Sequence, residues 1–363
     1  MGRRPARAYA AEELRSLRTA EASETLRPVA SEVPLTARLF ALLLALLALP
    51  SLLLACGPPR GSSGSADDDD AADDDDAADD DDAADDDDAA SGGCGLLAAH
   101  DAGGVQVTLE LGAEGGGSRG FWLSLPSSYD PDTAHALVVG YAGTNWVGQQ
   151  IQPYLAFEDG QRSDEIFVYP DPQWHDFDGW GNLGGWLLGP HAAPADGNAD
   201  LVFTEAVLDW MEANYCVDRD RVFVSGHSWG GDMAAVAACW LGDRFTASAP
   251  VAANRPYWFE SPDGPVPCGG DVDVWTFFGQ EDDHFTWQDY GGQFGDEQTD
   301  FWLDSRGCDG AGEFDDLPWG QAGECKQYSG CAAEVRYCLY GPASGHQVPS
   351  YFADAAMEWF RSY

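Results

Sequence analysis

An α/β fold is what this sequence predicts for most of its length: a mostly parallel central sheet flanked by helices and stabilised by disulfides. Three observations carry that expectation. Several apolar runs are continuous rather than alternating, as in strands buried on both faces. Segments with helical spacing lie between them, and strands that alternate with helices pair in parallel. Eight cysteines follow an export-type leader, an even number that suggests disulfides.

The elements can be taken in order. Residues 105–111 (VQVTLEL) alternate strictly, the pattern of a half-buried strand, and residues 120–125 (GFWLSL) supply its partner, ended by Pro126. Residues 136–141 (ALVVGY) form a buried strand closed by Ala142-Gly143-Thr144, and residues 166–169 (IFVY) form another closed by Pro170. Residues 200–215 (DLVFTEAVLDWMEANY) place Leu201, Ala206, Leu208, Met211 and Tyr215 on one broad apolar face, with Asn198 or Asp200 as the cap. Residues 221–225 (RVFVS) are a further buried strand, and a helix follows over 233–238 (MAAVAA). Residues 273–278 (DVWTFF) and 335–340 (VRYCLY) are strands, residues 300–305 lie in a helix, and residues 349–363 close with a helix carrying Phe352, Ala355, Ala356 and Phe360.

The N-terminal quarter has another character. Residues 39–55 (LFALLLALLALPSLLLA) are an apolar run too short and too interrupted, by Pro50, to span a membrane. They fit the apolar core of a secretory signal. Leu53-Leu54-Ala55-Cys56 resembles the lipobox of bacterial lipoproteins, which implies cleavage before Cys56 and lipid on its thiol. The expected organisation is a signal peptide over 1–55, with a start near 33–35 leaving a leader of ordinary length. A lipidated Cys56 and an acidic linker follow over 56–93, then the folded domain over 94–363. The linker holds four Asp tetrads separated by Ala-Ala, a self-repelling extended tether.

The net charge of the chain is −44, and residues 91–363 alone carry 41 acidic against 10 basic residues, so the acidity belongs to the domain itself. Such a surface repels phosphate backbones and argues against nucleic-acid binding. Zinc does not fit the eight cysteines Cys94, Cys216, Cys239, Cys268, Cys308, Cys325, Cys331 and Cys338. They hold no C-x-x-C pair and no His at ligand spacing. Cys325 and Cys331 are near enough in sequence to close a short loop.

Residues 226–231 (GHSWGG) follow a buried strand and open a helix. That is the context of a nucleophile elbow, in which small residues at Gly226 and Gly230 let the chain turn sharply and present Ser228 at a helix N-terminus. There the helix dipole and the N–H of Trp229 can stabilise a developing oxyanion. A serine hydroxyl needs a base oriented by an acid. Downstream of Ser228 stand only His284 and His346. His346 lies in the loop after the last strand, where the base belongs, whereas His284 leaves no room for an acid before it. His227 reads as a packing residue on the tight turn. The acid is sought in Glu281-Asp282-Asp283, after the strand at 273–278.

Residues from about Cys94 to Tyr363 resemble the extracellular feruloyl esterase and polyhydroxybutyrate depolymerase group of α/β-hydrolases. The resemblance is carried by Tyr215-Cys216-Val217-Asp218, Arg221-Val222-Phe223-Val224, the GHSWGG segment, residues 278–283 (FGQEDD), Tyr328-Ser329-Gly330-Cys331 and Gly345-His346. It implies an α/β-hydrolase fold and a serine esterase. Its pattern H-G-T-x-D implies Asp282, rather than Asp283, as the acid. It implies a second oxyanion donor at the N–H of Thr144, after Ala142-Gly143 where the family often has His-Gly. Phe278 likewise stands where the family has His. A Cys216–Cys239 bridge is a further implication.

The expected function is therefore a secreted, surface-tethered serine esterase with Ser228, Asp282 and His346 as triad. It would act on feruloyl or acetyl esters of plant polysaccharide or on a polyhydroxyalkanoate polyester. A catalytically silent carbohydrate- or surface-binding lipoprotein on the same fold, and a serine peptidase, are the alternatives. Trp174, Trp180, Trp186 and Trp229 lie near the expected site loops, where they could face substrate or simply pack. Residues 175–179 (HDFDG) lack the spacing of a Ca²⁺ loop. No metal and no cofactor are assigned. The expected partners are an ester substrate, polymeric in kind, and a membrane through the lipid only, with the chain acting as a monomer.

Overall fold

The computed structural model describes residues 91–159, 164–177, 181–188, 198–256, 268–282, 293–314, 325–341 and 345–363. Cys56, the acidic tether, Trp180, Asp283 and His284 lie outside the described residues.

Ten strands form one sheet in the order β1-β2-β4-β3-β7-β8-β9-β12-β11-β10. These are β1 (Gly103–Glu110), β2 (Ser118–Leu125), β3 (His135–Tyr141), β4 (Ile166–Pro170), β7 (Val217–His227), β8 (Ala247–Val251), β9 (Asp273–Gly279), β10 (Glu313–Phe314), β11 (Cys325–Tyr328) and β12 (Val335–Tyr340). The six central strands, β4 to β12 in that order, pair in parallel. Antiparallel strands flank them on both sides. A separate hairpin joins β5 (Gln173–Phe177) to β6 (Gly181–Gly185). The α-helices among the described residues are α1 (Gly148–Leu155), α2 (Ala199–Asn214), α3 (Trp229–Trp240), α4 (Gln293–Ser305) and α5 (Phe352–Phe360).

The continuous apolar runs became parallel strands because helices cover both faces of the sheet. Successive residues of β3 divide between two cores. Leu137, Val139 and Tyr141 pack with α2, α3 and Trp302, while Ala136 and Val138 pack with Ile151 and Leu155 of α1 and with α5. Chain order reverses at β3, which has β4 on one side and β7 on the other. The carboxyl ends of β3 and β7 therefore border the crevice where open α/β sheets bind ligands.

Asn198, not Asp200, caps α2, its side chain accepting from the amides of Asp200 and Leu201. Asp200 instead forms a fully buried ion pair with Arg119 of β2 at 2.7 Å. The buried face of α2 also differs from expectation. It includes Phe203 and Val207, while Ala206 is half-buried.

The four disulfides are Cys94–Cys216, Cys239–Cys268, Cys308–Cys331 and Cys325–Cys338. The expected Cys216–Cys239 and Cys325–Cys331 pairings are thus corrected. Residues 91–94 run beside the end of α2, with Ser91 N donating to Val217 O and Gly93 N to Glu212 O, which delivers Cys94 to Cys216. Gly269 N donates to Cys239 O, which sets Cys268 against Cys239. Cys325 stands directly opposite Cys338 in the antiparallel β11–β12 register. Cys331, in the intervening turn, falls beside Cys308, just past the end of α4. Short sequence separation misled here because strand register, not loop length, decides which thiols meet.

Candidate active site

Ser228 lies between the end of β7 and the first turn of α3, at φ 59° and ψ −128°. A side chain held in that region costs about 1–3 kcal/mol of backbone strain. Two glycines make the turn possible. A methyl group built at Gly226 would lie 2.1 Å from the carbonyl oxygen of Gly230, and one at Gly230 would lie 2.2 Å from that of Tyr141. The turn is tied down by Ser228 N donating to Val251 O, and Ser228 O accepts the first helical bond, from Asp232 N. The amide of Trp229 is the first of α3, so it has no acceptor within the helix.

The loop after β3 runs against this turn. A methyl built at Gly143 would lie 3.1 Å from His227 O and 3.9 Å from Ser228 Oγ. Thr144 follows directly and is exposed. Asn145 fixes the loop. Its backbone adopts φ 63°, its N–H donates to Gly184 O at 2.8 Å, and its Oδ1 accepts from Gly184 N at 2.9 Å. Trp186 supports the same loop from beneath, its indole N–H donating to Ala142 O at 2.7 Å. That tryptophan is fully buried, so it serves the scaffold and not a substrate surface. Trp229 is half-buried, packed at 4.6 Å against Phe177 of the hairpin. Trp174 is exposed.

The loops after β9 and β12 meet beside them. His346 Nδ1 lies 2.8 Å from Asp282 Oδ2. Asp282 is 0% exposed. An ionised carboxylate only accepts, so the imidazole carries its proton on Nδ1 in this arrangement. The His346 segment is held on several sides. Val348 N donates to Tyr154 Oη, and the Tyr340 hydroxyl donates to Gln347 O. The ring of His227 lies 4.8 Å from that of His346 and 5.0 Å from that of Tyr154. His227 is thus a packing neighbour of the imidazole. The bracing by Tyr154 and the pinning by Asn145 carried no sequence signal, because each depends on contacts between distant segments.

A further carboxylate lies below the turn. Asp232, in the first turn of α3, accepts from Asn254 N at 2.6 Å. Burial pushes its carboxyl up to about 7, while the Asn254 hydrogen bonds pull it down and the Asp282 charge pushes it up. Among the described residues, no group of His, Cys, Asp and Glu could hold a metal ion. The HDFDG segment enters β5 as far as Phe177.

Comparison with known proteins places this geometry. An acetyl xylan esterase from Aspergillus awamori superposes with a TM-score of 0.56 at 17% identity, over 71% of this chain and 100% of that chain. The fold is that of an α/β-hydrolase. In sequence, this hydrolase-fold chain is 31% identical over 150 residues to feruloyl esterase C of Emericella nidulans, over 40% of this chain and 50% of that protein. It is 33% identical over 135 residues to a probable feruloyl esterase C of Aspergillus clavatus, over 36% and 44% respectively. The chain spans about half the length of the curated relatives it matches. No family model matches it. The four disulfides suit an oxidising compartment.

Proposed function

We propose that this chain is a serine carboxylic ester hydrolase acting on feruloyl or acetyl esters of plant polysaccharide. The observation that carries the reading is that a strained elbow serine and a histidine held by a buried carboxylate come together at the carboxyl ends of the parallel strands β7, β9 and β12, where the ring of His227, next to Ser228, lies 4.8 Å from that of His346. The names of its relatives, feruloyl esterase and acetyl xylan esterase, support the substrate class.

Ser228 Oγ attacks the ester carbonyl carbon while His346 Nε2 takes its proton. Asp282 holds the Nδ1–H and stabilises the imidazolium. The oxyanion accepts from the N–H groups of Trp229 and Thr144, at the positive end of α3. Collapse expels the alcohol, which takes the proton from His346 and leaves an acyl-Ser228. Water, deprotonated by His346, then releases the carboxylic acid. Ser228→Ala should keep the melting temperature and lose at least about 10⁴-fold in kcat on methyl ferulate and p-nitrophenyl acetate. A well-folded variant with wild-type turnover refutes the mechanism. Lipid on Cys56, the tether and monomeric action complete the reading of an exported, surface-held enzyme.

A further inference from the structure

The β5–β6 hairpin presents a face that the ester chemistry leaves unused. Along β5 burial alternates, with Gln173, His175 and Phe177 half-buried and Trp174 and Asp176 exposed. Trp174 stands opposite Gly184 and Asp176 opposite Asn182, so the four residues share one face. A methyl built at Gly184 would lie 3.3 Å from Trp174 Cε2 and 3.4 Å from Asn145 Cα. The absence of a side chain there lets the indole lie across β6 and lets the oxyanion loop close on the hairpin. Trp174 is 60% exposed and Trp146, next to Asn145, is 39% exposed. Among the described tryptophans only these two are exposed, and both flank the Asn145–Gly184 junction. One pleat along from Trp174, Asn182 Nδ2 donates to Asp176 Oδ1 at 3.0 Å. That pair keeps further acceptor positions on the carboxylate and a second N–H on the amide.

We propose that this face is a subsite for the neutral main chain of a polysaccharide: a pyranose ring stacks on Trp174, hydroxyl groups of the adjoining ring bond Asp176 and Asn182, and the ester-bearing branch reaches Ser228. The proposal rests on the ester hydrolase reading and names the polymer of that same site. An aromatic plane beside a carboxylate–amide pair matches the C–H face and hydroxyl rim of a sugar. Charge selects the occupant further. Asp176 within a domain of 41 acidic and 10 basic residues repels a polyuronate main chain and leaves a neutral one unopposed. The platform is packed against Trp229, the residue after Ser228. Phe177 packs on Trp229, and a methyl built at Gly185 would lie 2.9 Å from the same indole. Bound sugar therefore loses little to reordering of the protein.

The test is affinity electrophoresis of the Ser228→Ala protein in native gels containing soluble arabinoxylan or polygalacturonate. Arabinoxylan should retard it, and polygalacturonate should not. Adding Trp174→Ala should weaken the retardation at least about tenfold without lowering the melting temperature, and Trp174→Tyr should restore most of it. No retardation by arabinoxylan, equal retardation with and without Trp174, or tighter retention by polygalacturonate overturns the subsite. Methyl ferulate hydrolysis by the wild-type chain is measured in parallel. Hydrolysis without retardation sinks the subsite and spares the ester chemistry; retardation without hydrolysis does the reverse.

Discussion

Asp282 and Asp232 are both buried, and their partners give them opposite tasks. Asp282 meets a ring nitrogen, so its charge is matched whenever His346 takes a second proton. Replacing it by Asn turns the imidazole to the wrong tautomer, and kcat should fall by roughly 10³ to 10⁴. Asp283→Asn should cost about tenfold or less, since neighbouring side chains diverge and one carboxylate serves the ring. Equal losses, or the reverse ranking in steady-state kinetics, would move the acid to Asp283. Asp232 meets only amides of Asn254, and burial raises its carboxyl from 3.8 to about 7. The folded state then holds this proton across a window where the unfolded chain has lost it. The stability it contributes is complete below pH about 4 and is lost as pH rises through about 7. Asp232→Asn should remove that slope. In urea titrations the wild type should lose up to about 4 kcal/mol relative to the variant between pH 4 and 7.5. Parallel stability curves would show that Asp232 is ionised throughout.

Elements position these groups, and here the sequence was informative in part. The elbow was legible because strand, small residues and helix are contiguous, and His346 because few histidines follow Ser228. Hairpin β5–β6 was not, since residues 181–185 (GNLGG) carry almost no apolar alternation. Its strand character comes from pairing and from Asn145. Asn145→Ala removes the Oδ1 anchor and leaves alanine at positive φ, where asparagine is tolerated better. We expect kcat on methyl ferulate to fall about 10- to 100-fold with KM little changed, somewhat less than the loss of a whole oxyanion donor. A KM effect alone would place this loop in substrate binding. Asp200 was legible only as a cap candidate, because its partner Arg119 lies 81 residues away. Arg119 also donates to Asp171 O and lies 4.1 Å over the Phe203 ring, joining β2 to α2. Arg119→Met leaves the Asp200 charge buried and should cost about 3–5 kcal/mol by urea denaturation. A cost under about 1 kcal/mol would mean that water reaches Asp200.

The whole molecule is strongly acidic, and that property was fully legible from composition, whereas disulfide connectivity was not. Eight cysteines allow 105 pairings, and tertiary contacts choose among them. Crosslinks and charge act in opposite senses. The Cys94–Cys216 bridge closes 122 residues and restricts the unfolded chain, worth about 4–5 kcal/mol on a chain-entropy account. Like charges, 41 acidic against 10 basic over residues 91–363, repel most in the compact state. Among the described residues several cations already hold carboxylates, as where Arg361 grips Glu165 and Arg244 bridges Asp209 and Glu212. Salt should therefore stabilise this domain. The Debye length falls from about 30 Å at 0.01 M to below 8 Å above physiological strength, which screens the diffuse repulsion more than close, partly buried pairs. Raising NaCl from 0.01 to 0.5 M at pH 7.5 should lift the melting temperature by about 5 °C, roughly 2 kcal/mol for a domain of this size. Turnover of neutral methyl ferulate should change less than about twofold, because an uncharged substrate is not steered by the field. A melting temperature that falls with salt would show that the arginine ion pairs outweigh the repulsion and that the excess carboxylates lie too far apart to oppose folding.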